Sequence, residues 1–351
     1  MRPPDPVPVA GRPVGDGQPA LVIAEGGVNH NGDLELARRM IDAARQASAD
    51  AIKFQTFRAE RLASPMAPRA DYQRVTGESS SQLEMLRKLE LSERAHVELW
   101  RHGREVGLPV LSTPFDERSA DFLLRLGVSA YKVGSGELTN LPFLEHLAGK
   151  GLPMLVSTGM ATLGEVEQAV LAIRGAGNPP LILLQCTSRY PAPPAEANLR
   201  VLDTLRAAFG VPVGYSDHTR GNDVALAAVA RGACVIEKHF TLDRRLPGPD
   251  HAASAEPEQM AALIRSIRTV EKALGHGRKE PSAREAEIAE VARRSVVAAR
   301  DLDAGELITP ELIDIKRPGT GLPPSTAEQL IGRRLACDMP AGTPLTWEVL
   351  A

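Results

Sequence analysis

Residues 21–57 contain two short apolar runs separated by an amphipathic segment, and this feature most constrains the fold of the chain. The runs LVIAE and AIKFQTF are rich in residues that favour β-strands. Between them, apolar side chains recur at helical spacing, at Leu34, Leu36, Met40, Ile41 and Ala44. A strand, a helix and a second strand in so short a stretch predict a βαβ unit, which requires a parallel sheet.

The same alternation recurs along the chain. Further strand-like runs cover residues 109–115, 130–138, 153–160, 181–187, 211–218 and 234–242, and segments that can be helical follow them. Eight β/α units in about 250 residues are typical of a TIM barrel. We therefore predict an α/β fold with a (β/α)8 barrel, and a doubly wound sheet is the alternative.

The chain is longer than one ordinary barrel, so a second module is expected. Residues 1–19, rich in Pro and Gly, predict a flexible tail; residues 20–275 predict the barrel, and the polar residues 276–291 a linker. Residues 292–351 contain a repeat, ARDLDAGELIT at 299–309 and ACDMPAGTPLT at 336–346, which predicts a small β-rich domain with pseudo-twofold symmetry. A chance likeness between two turn sequences is the alternative.

Residues 58–91 form an insertion between the second and third strand-like runs. Its last part, LEMLRKLEL, is helix-like, and the stretch ASPMAPRADYQRVTGESSS before it reads as a loop. Long insertions at a barrel mouth often supply a lid or one wall of a pocket, and we expect this here.

Charge and cysteine content restrict the partners and the compartment. The formal net charge is -3, without a long basic run, so we expect no nucleic-acid partner. The odd cysteine count, with Cys186 and Cys234 in strand-like runs and Cys337 elsewhere, favours free thiols in a reducing compartment. No long apolar run and no secretory leader is apparent, which predicts a cytoplasmic protein without a membrane partner.

Polar residues at the ends of the strand-like runs predict a site at the barrel mouth. Lys53, Lys132 and Lys238 lie within strands, where a buried cation needs an anion, either a bound ligand or an internal carboxylate. Glu25 ends the first strand and is the candidate general acid or base. Burial would raise its pKa and Lys53 would lower it.

His218 and His239 end neighbouring strands, so their imidazoles can converge although they are distant in sequence. Two histidine ligands leave the other coordination positions of a metal ion to water or substrate. This suits an open site for a divalent ion such as Mn²⁺ or Mg²⁺ better than a closed zinc site. The alternative is that each ring is a structural hydrogen-bonding group.

A series of motifs runs through the chain in the order IAEGGVNHNGDLELA, DAIKFQTF, STPFD, YKVGSGEL, STGMA, CTSRYPAP, GYSDHT and EKHFTLDRRLPGPDHAAS. The series resembles that of the sialic acid synthase family, the N-acetylneuraminate synthases and their legionaminic and pseudaminic acid relatives. The segment KRPGTGLPP, with the repeat around it, resembles the C-terminal antifreeze-like (SAF) domain of that family. The resemblance extends over residues 20–350 and implies a TIM barrel followed by an SAF domain.

The resemblance implies a transferase that condenses phosphoenolpyruvate (PEP) with the aldehyde of an open-chain N-acyl-mannosamine sugar, giving a nine-carbon 2-keto acid and phosphate. Glu25 would then be the acid/base group and Lys53 would meet the PEP carboxylate. The residues implied for the phosphate are Lys132, Thr113, Ser135, Ser157 and Ser188. Those implied for the sugar and the pocket are Gln55, Tyr190, Glu237 and Asp250.

The resemblance also implies a metal and a quaternary structure. Mn²⁺, with Mg²⁺ or Co²⁺ as alternatives, would be held by His218 and His239. Arg317, in the sequence RPGTG, would reach from the SAF domain of one subunit to the N-acyl group in the site of its partner. This predicts a domain-swapped homodimer.

The chain departs from the family pattern in three places: Gly26-Gly27 after the glutamate, Gln185 before CTS, and Arg189. They leave the acceptor open among N-acetylmannosamine, its 6-phosphate and a 2,4-diacetamido-trideoxyhexose. Two other functions also remain as alternatives. One is a related synthase that condenses PEP with a phosphorylated aldose, and the other is a non-catalytic carbohydrate-binding protein.

Overall fold

The computed structural model of the chain describes residues 4–67 and 81–351. Its internal contacts separate two compact units, Met1–Gly275 and His276–Ala351. Residues 276–291, predicted to be a linker, belong to the second unit and include most of one of its helices.

In the described part of the first unit, eight strands form one parallel sheet. These strands are β3 (Leu21–Gly27), β4 (Ala51–Thr56), β5 (Val110–Pro114), β6 (Tyr131–Val133), β7 (Met154–Ser157), β8 (Leu181–Cys186), β9 (Val213–Asp217) and β10 (Val235–His239). Their order is β5-β4-β3-β10-β9-β8-β7-β6, and β5 and β6 at its two ends are neighbours in space. The sheet therefore curls into the predicted (β/α)8 barrel, and the doubly wound alternative is wrong.

Helices surround the barrel. They are α1 (Leu34–Gln46), α2 (Ala59–Leu62), α3 (Gln82–Leu89), α4 (Glu93–Val106), α5 (Glu117–Leu126), α6 (Leu141–Ala148), α7 (Leu163–Ala176), α8 (Val201–Phe209), α9 (Asp223–Ala230) and α10 (Pro257–Leu274). Every residue of β3 and β8 is buried, because side chains fill the barrel on one face of the sheet and helices cover the other. No described helix combines the length and apolar character that crossing a membrane requires.

The prediction of a flexible tail is wrong over residues 4–19, the described part of that segment. Strands β1 (Val7–Val9) and β2 (Arg12–Val14) pair as an antiparallel hairpin. Val7, Val9 and Val14 are buried in the barrel core, and the turn residues Ala10 and Gly11 both have positive φ, as a tight two-residue hairpin turn requires. The prolines suggested a loop, but in a two-stranded ribbon both strands are edges and tolerate them.

The insertion after β4 folds as predicted in its described part. Helix α3 begins with a capping box between Ser81 and Glu84, and with α2 it builds a small apolar cluster beside the barrel. The loop predicted in the middle of the insertion falls mostly on residues 68–80, outside the described residues.

The second unit contains α11 (Ala283–Ala292), β11 (Ser295–Ala298), β12 (Ile313–Lys316) and α12 (Ala327–Leu330). The two copies of its repeat exchange equivalent hydrogen bonds. Asp338 accepts from the N–H of Ala304 at 2.8 Å, and Asp301, at the same offset in the other copy, accepts from the N–H of Ala341 at 2.7 Å. This reciprocity is the pseudo-twofold relation that the repeat predicts.

Candidate active site

A cavity of about 540 Å³ opens at the carboxyl ends of the barrel strands. It is lined by every residue of the first unit that the sequence analysis assigned to the site. These residues are Glu25, Lys53, Gln55, Thr113, Lys132, Ser135, Ser157, Ser188, Tyr190, His218, Glu237, His239 and Asp250. Arg317 belongs to the second unit, where it follows β12 and is exposed.

Strand register places the central residues at one level. Glu25 of β3 is opposite Lys53 on β4 and opposite His239 on β10. Lys53 Nζ lies 2.7 Å from Glu25 Oε2 and donates to Thr113 Oγ1 at 2.8 Å. Both charged side chains are almost fully buried, so a ligand that attracts the lysine competes directly with Glu25.

A second buried pair joins Lys132 and Glu237 across the mouth. Lys132 Nζ lies 3.4 Å from Glu237 Oε1 and donates to Ser157 Oγ at 2.9 Å. Ser216 donates to the same carboxylate oxygen at 3.1 Å. Glu237 Oε2 is buried and has no hydrogen-bond partner among the described residues, which leaves one acceptor free for a ligand group.

Burial and neighbouring charges give the carboxyl groups of the cavity different pKa values. Burial raises the pKa of Glu25 although Lys53 lowers it, and the nearby Glu237 adds to the rise. Burial also acts to raise the pKa of Glu237, but Lys132 and Lys53 outweigh it and the pKa falls. Asp250 has its pKa raised to about 6 by burial. Glu25 and Asp250 are thus the carboxyls best suited to carry a proton near neutral pH.

Ser135, Ser188 and Gly159 form a cradle beside Lys132 that the sequence analysis recognised only in part. The N–H of Gly159 donates to Ser135 Oγ at 3.0 Å. A Cβ at Gly159 would stand 2.5 Å from Ser188 Oγ and 2.8 Å from Ser135 Oγ. Only glycine lets the backbone come this close to the two hydroxyls. The signal was present in the motif STGMA, which placed a glycine two residues after Ser157.

The resemblance implies that Ser135 and Ser188 hold a phosphate. If they do, Gly159→Ala is expected to raise KM for a phosphate-bearing substrate by about tenfold or more, because the new methyl group displaces both hydroxyls. A single hydrogen bond to a charged group contributes about 1.5–3 kcal/mol. Steady-state kinetics with varied PEP measures this. Gly164→Ala, in open space on α7, is the matched control. An unchanged KM in Gly159→Ala would show that the cradle does not hold the phosphate.

The two candidate metal ligands face each other at the mouth. The rings of His218 and His239 have centroids 5.3 Å apart, and the Tyr190 ring lies against both. His218 Nδ1 lies 2.7 Å from the carbonyl oxygen of Thr187 and can donate a hydrogen bond to it. The lone pair of Nε2 is then available to a metal ion.

The chemistry of the two histidines fits a metal ion, although two ligands cannot complete its coordination shell. Burial lowers the pKa of His239 well below its usual range and His218 lowers it further, so the ring stays neutral; its buried Nδ1 has no partner in the described chain. Burial acts likewise on His218, but Cys186 and Thr187 raise its pKa. Among the described residues no three His, Cys, Asp or Glu side chains converge for an ion. An ion here would need oxygen ligands from substrate or water.

Lys238 does not belong to the site. Because strand residues alternate in direction, Glu237 and His239 face the cavity, whereas Lys238 points out of the barrel. There it contacts Asp217 at 2.6 Å and the carbonyl of Thr219 at 2.7 Å. For this lysine the internal ion pair, the alternative left open by the sequence, is correct.

One side of the cavity is apolar, and the sequence analysis named none of its residues. This apolar wall consists of Val28, Leu62, Met85, Leu86, Leu89 and Phe115. Its helical members come from α2 and α3, so the insertion forms the predicted pocket wall. Gln82, also on α3, is a polar residue that lines the cavity. The sequence predicted that the insertion borders the pocket, but it did not indicate which of its side chains line the cavity.

The three departures from the family pattern have local structural roles. Gly26-Gly27 forms a β-bulge in β3, where a Cβ at Gly26 would lie 2.9 Å from the Phe54 ring. Gln185 donates to the carbonyl of Ala197 at 3.2 Å and ties down the loop after β8. Arg189 pairs with Glu196 at 2.6 Å and does not line the cavity.

His30 lies buried near the cavity without lining it. Its Nδ1 accepts from the N–H of Gly32 at 3.0 Å, and burial lowers its pKa to about 3. Between pH 3 and 6.5 the unfolded chain therefore binds a proton at this position that the folded chain does not bind. The part of the free energy of unfolding that depends on neutral His30 is fully present above pH 6.5. It is lost progressively as the pH falls from 6.5 toward 3.

His30→Asn is expected to reduce this acid sensitivity, because the amide oxygen can accept from Gly32 without titrating. Because of this histidine, the free energy of unfolding should be about 2 kcal/mol lower at pH 5 than at pH 7. Urea unfolding at both pH values should show that loss in the parent and a smaller one in the variant. His276→Asn, at an exposed position, is the control. Equal losses in parent and His30→Asn would contradict the prediction.

Comparison with known proteins agrees with this geometry. The NeuB family profile matches residues 40–279, and the SAF domain profile matches residues 293–351. The N,N'-diacetyllegionaminic acid synthase of Legionella pneumophila is 48% identical over 342 residues, 96% of each chain. The N-acetylneuraminate-9-phosphate synthase of Homo sapiens is 38% identical over 93% of this chain and 91% of its own length.

A solved structure of a sialic acid synthetase is also similar to this chain. The N-acetylneuraminic acid (sialic acid) synthetase of Leptospira borgpetersenii, in complex with citrate, superposes with a TM-score of 0.73 at 36% identity; the match covers 83% of this chain and 97% of that chain. The chain belongs to the NeuB family and is an enzyme of the sialic acid synthase type with an SAF domain at its carboxyl end.

Proposed function

We propose that this enzyme condenses PEP with the aldehyde of an open-chain N-acyl-mannosamine-type sugar. A bond forms between C3 of PEP and the aldehyde carbon, water adds at C2, and the C2–O bond breaks to release phosphate. The products are a nine-carbon 2-keto acid and inorganic phosphate. The observation that carries the proposal is the single cavity in which two lysine–carboxylate pairs, a hydroxyl cradle and a histidine pair converge.

The anionic ends of PEP fit the two lysines. Lys132 with Ser135, Ser157 and Ser188 is proposed to hold the phosphate, where charge-assisted hydrogen bonds are strong. Lys53 is proposed to hold the carboxylate. The resemblance implies Thr113 for the phosphate, but Thr113 accepts from Lys53 at 2.8 Å, so we propose that it serves the carboxylate instead. The carboxylate then draws Lys53 away from Glu25, the pKa of Glu25 rises further, and Glu25 can give its proton to the developing alkoxide and take one from the attacking water.

The remaining polar groups are assigned to the acceptor and the metal. Gln55, Tyr190, Glu237 and Asp250 are proposed to orient the sugar. His218 and His239 are proposed to hold Mn²⁺, with Mg²⁺ or Co²⁺ as alternatives. Such an ion, when bound, supplies Lewis acidity toward a carbonyl oxygen.

Arg317 is proposed to contact the N-acyl group from a second copy of the chain, in a domain-swapped homodimer. Mixing Glu25→Gln with Arg317→Ala subunits tests this: turnover above that of either variant alone supports action across subunits. Turnover equal to the average of the two contradicts it.

The test of the reaction is phosphate release from PEP by the metal-stripped protein with Mn²⁺ restored. Acceptors are N-acetylmannosamine, its 6-phosphate, the 2,4-diacetamido-trideoxy sugar and arabinose 5-phosphate. Metal-dependent release with an N-acyl-hexosamine, and a 2-keto acid of matching mass, are expected. Release with arabinose 5-phosphate alone would favour a synthase for phosphorylated aldoses, and PEP binding without release would favour a non-catalytic protein.

A further inference from the structure

A second cavity, of about 320 Å³, lies between the loops that follow β9 and β10. Residues 219–222 of the first loop line this loop cavity, together with Arg244 and residues 252–255 of the second. Lys238 also lines it, because side chains alternate along β10 and this one points out of the barrel. The loop cavity shares no lining residue with the active-site cavity, so the proposed reaction makes no use of it.

Cationic side chains outnumber carboxylates in the lining of the loop cavity. The cations are Arg220, Lys238 and Arg244. Among the described residues, Asp223 contributes the one carboxylate of the lining, which leaves a formal charge of +2 there. Asp217 pairs with Lys238 at 2.6 Å and Glu256 with Arg244 at 3.7 Å, but neither carboxylate residue lines the cavity. The cavity therefore presents mainly positive charge to a ligand.

Two of these cations retain hydrogen-bond donors. The guanidinium group of Arg220 has no ion pair or hydrogen-bond partner in the part of the chain that the structure describes. Lys238 is only 5% exposed, and its ammonium group donates to Asp217 Oδ2 at 2.6 Å and to the carbonyl oxygen of Thr219 at 2.7 Å. An ammonium group has three donors, so one remains. A donor on a buried cation forms a strong hydrogen bond with an anion.

Charge and size together indicate the class of ligand. A phosphate monoester carries about −1.5 to −2 charges near pH 7, which matches the positive lining, and guanidinium groups pair with phosphate oxygens in a bidentate manner. A volume of about 320 Å³ is at the small end of ligand pockets and suits a phosphate with a few carbon atoms. Loops after the seventh and eighth strands of (β/α)8 barrels often bind phosphate, and β9 and β10 are those strands here.

We propose that the loop cavity is a second anion site, which binds a small phosphate monoester through Arg220, Lys238 and Arg244 independently of the PEP site. Because the cations come from both loops and from β10 between them, the ligand bridges the two loops. Ser254, which also lines the loop cavity, donates to the carbonyl oxygen of Asp250 at 2.7 Å. The bridged segment is thus the one that carries a carboxyl group of the active site.

Calorimetric titration with glycerol 3-phosphate tests the site. The parent should show saturable binding, and acetate, with a single charge, should bind at least about tenfold more weakly. Arg220→Gln and Arg244→Gln should each weaken the binding of glycerol 3-phosphate by about tenfold or more, the loss expected when a charged donor is removed. Arg189→Gln is the matched control, since this arginine is on the loop after β8 and outside the loop cavity.

A second protein separates this site from the active site. Lys132→Met with Glu237→Gln removes the cation proposed for the phosphate of PEP together with its carboxylate partner, and it should bind glycerol 3-phosphate as the parent does. Binding that survives this pair of substitutions and weakens in Arg220→Gln or Arg244→Gln supports the proposal, whether or not the chain condenses PEP.

Three results would overturn the second anion site. The first is no saturation of the parent up to about 10 mM glycerol 3-phosphate. The second is binding that is lost with Lys132 and Glu237 but kept in both arginine variants, which would place the ligand in the active site. The third is acetate binding as tight as that of glycerol 3-phosphate, which would remove the preference for phosphate.

Discussion

Replacement of Glu25 by glutamine is expected to lower kcat by about 10²- to 10⁴-fold while PEP still binds, the range that general acid–base catalysis contributes. Glutamine keeps the size of the side chain and its hydrogen bonding to Lys53, but it cannot transfer a proton. Because burial raises the pKa of Glu25, the limb of the pH–rate profile that reports this group should lie above the ordinary range of a glutamate and should be absent from the variant.

Stopped-flow phosphate release and a binding isotherm for PEP separate the chemical step from affinity. Glu196→Gln is the matched control, since its carboxylate pairs with Arg189 outside the cavity. A kcat within a few-fold of the parent, with the same pH profile, would remove Glu25 from proton transfer and direct attention to Asp250, the other carboxyl with a raised pKa.

The second large effect is expected at Lys132. Lys132→Met should weaken PEP binding by about 100-fold or more, since it removes a charged donor from the phosphate cradle. It should also destabilise the fold by about 3–5 kcal/mol, because Glu237 is left buried without its cation. Calorimetric titration with PEP and thermal unfolding measure the two effects.

A double variant separates these effects. Lys132→Met with Glu237→Gln removes both charges, so stability should recover while PEP binding stays weak. The matched control is Lys238→Met with Asp217→Asn, which neutralises a buried pair on the outside of the barrel and should leave PEP affinity unchanged. PEP affinity that recovers along with stability would mean that Lys132 has only a structural role.

The barrel and the position of its mouth were predictable because they depend on local patterns. Apolar runs at regular intervals define strands, and parallel strands end together, so Glu25, Lys53, His218 and His239 had to meet. The hairpin at residues 7–14 was missed for a related reason. Its prolines are loop signals locally, and only burial of its valines against the barrel makes the hairpin stable.

The sequence by itself determined the fold class, the repeat of the second unit and the residue types at the mouth, because each follows from periodicity or motif order along the chain. Only the tertiary structure decided which charges pair. Lys53 with Glu25, Lys132 with Glu237 and Lys238 with Asp217 are equivalent choices in sequence, and strand register and side-chain direction separate them. The apolar wall was decided in the same way, since a leucine on a helix faces a core or a cavity according to what packs against it, which is a property of distant residues.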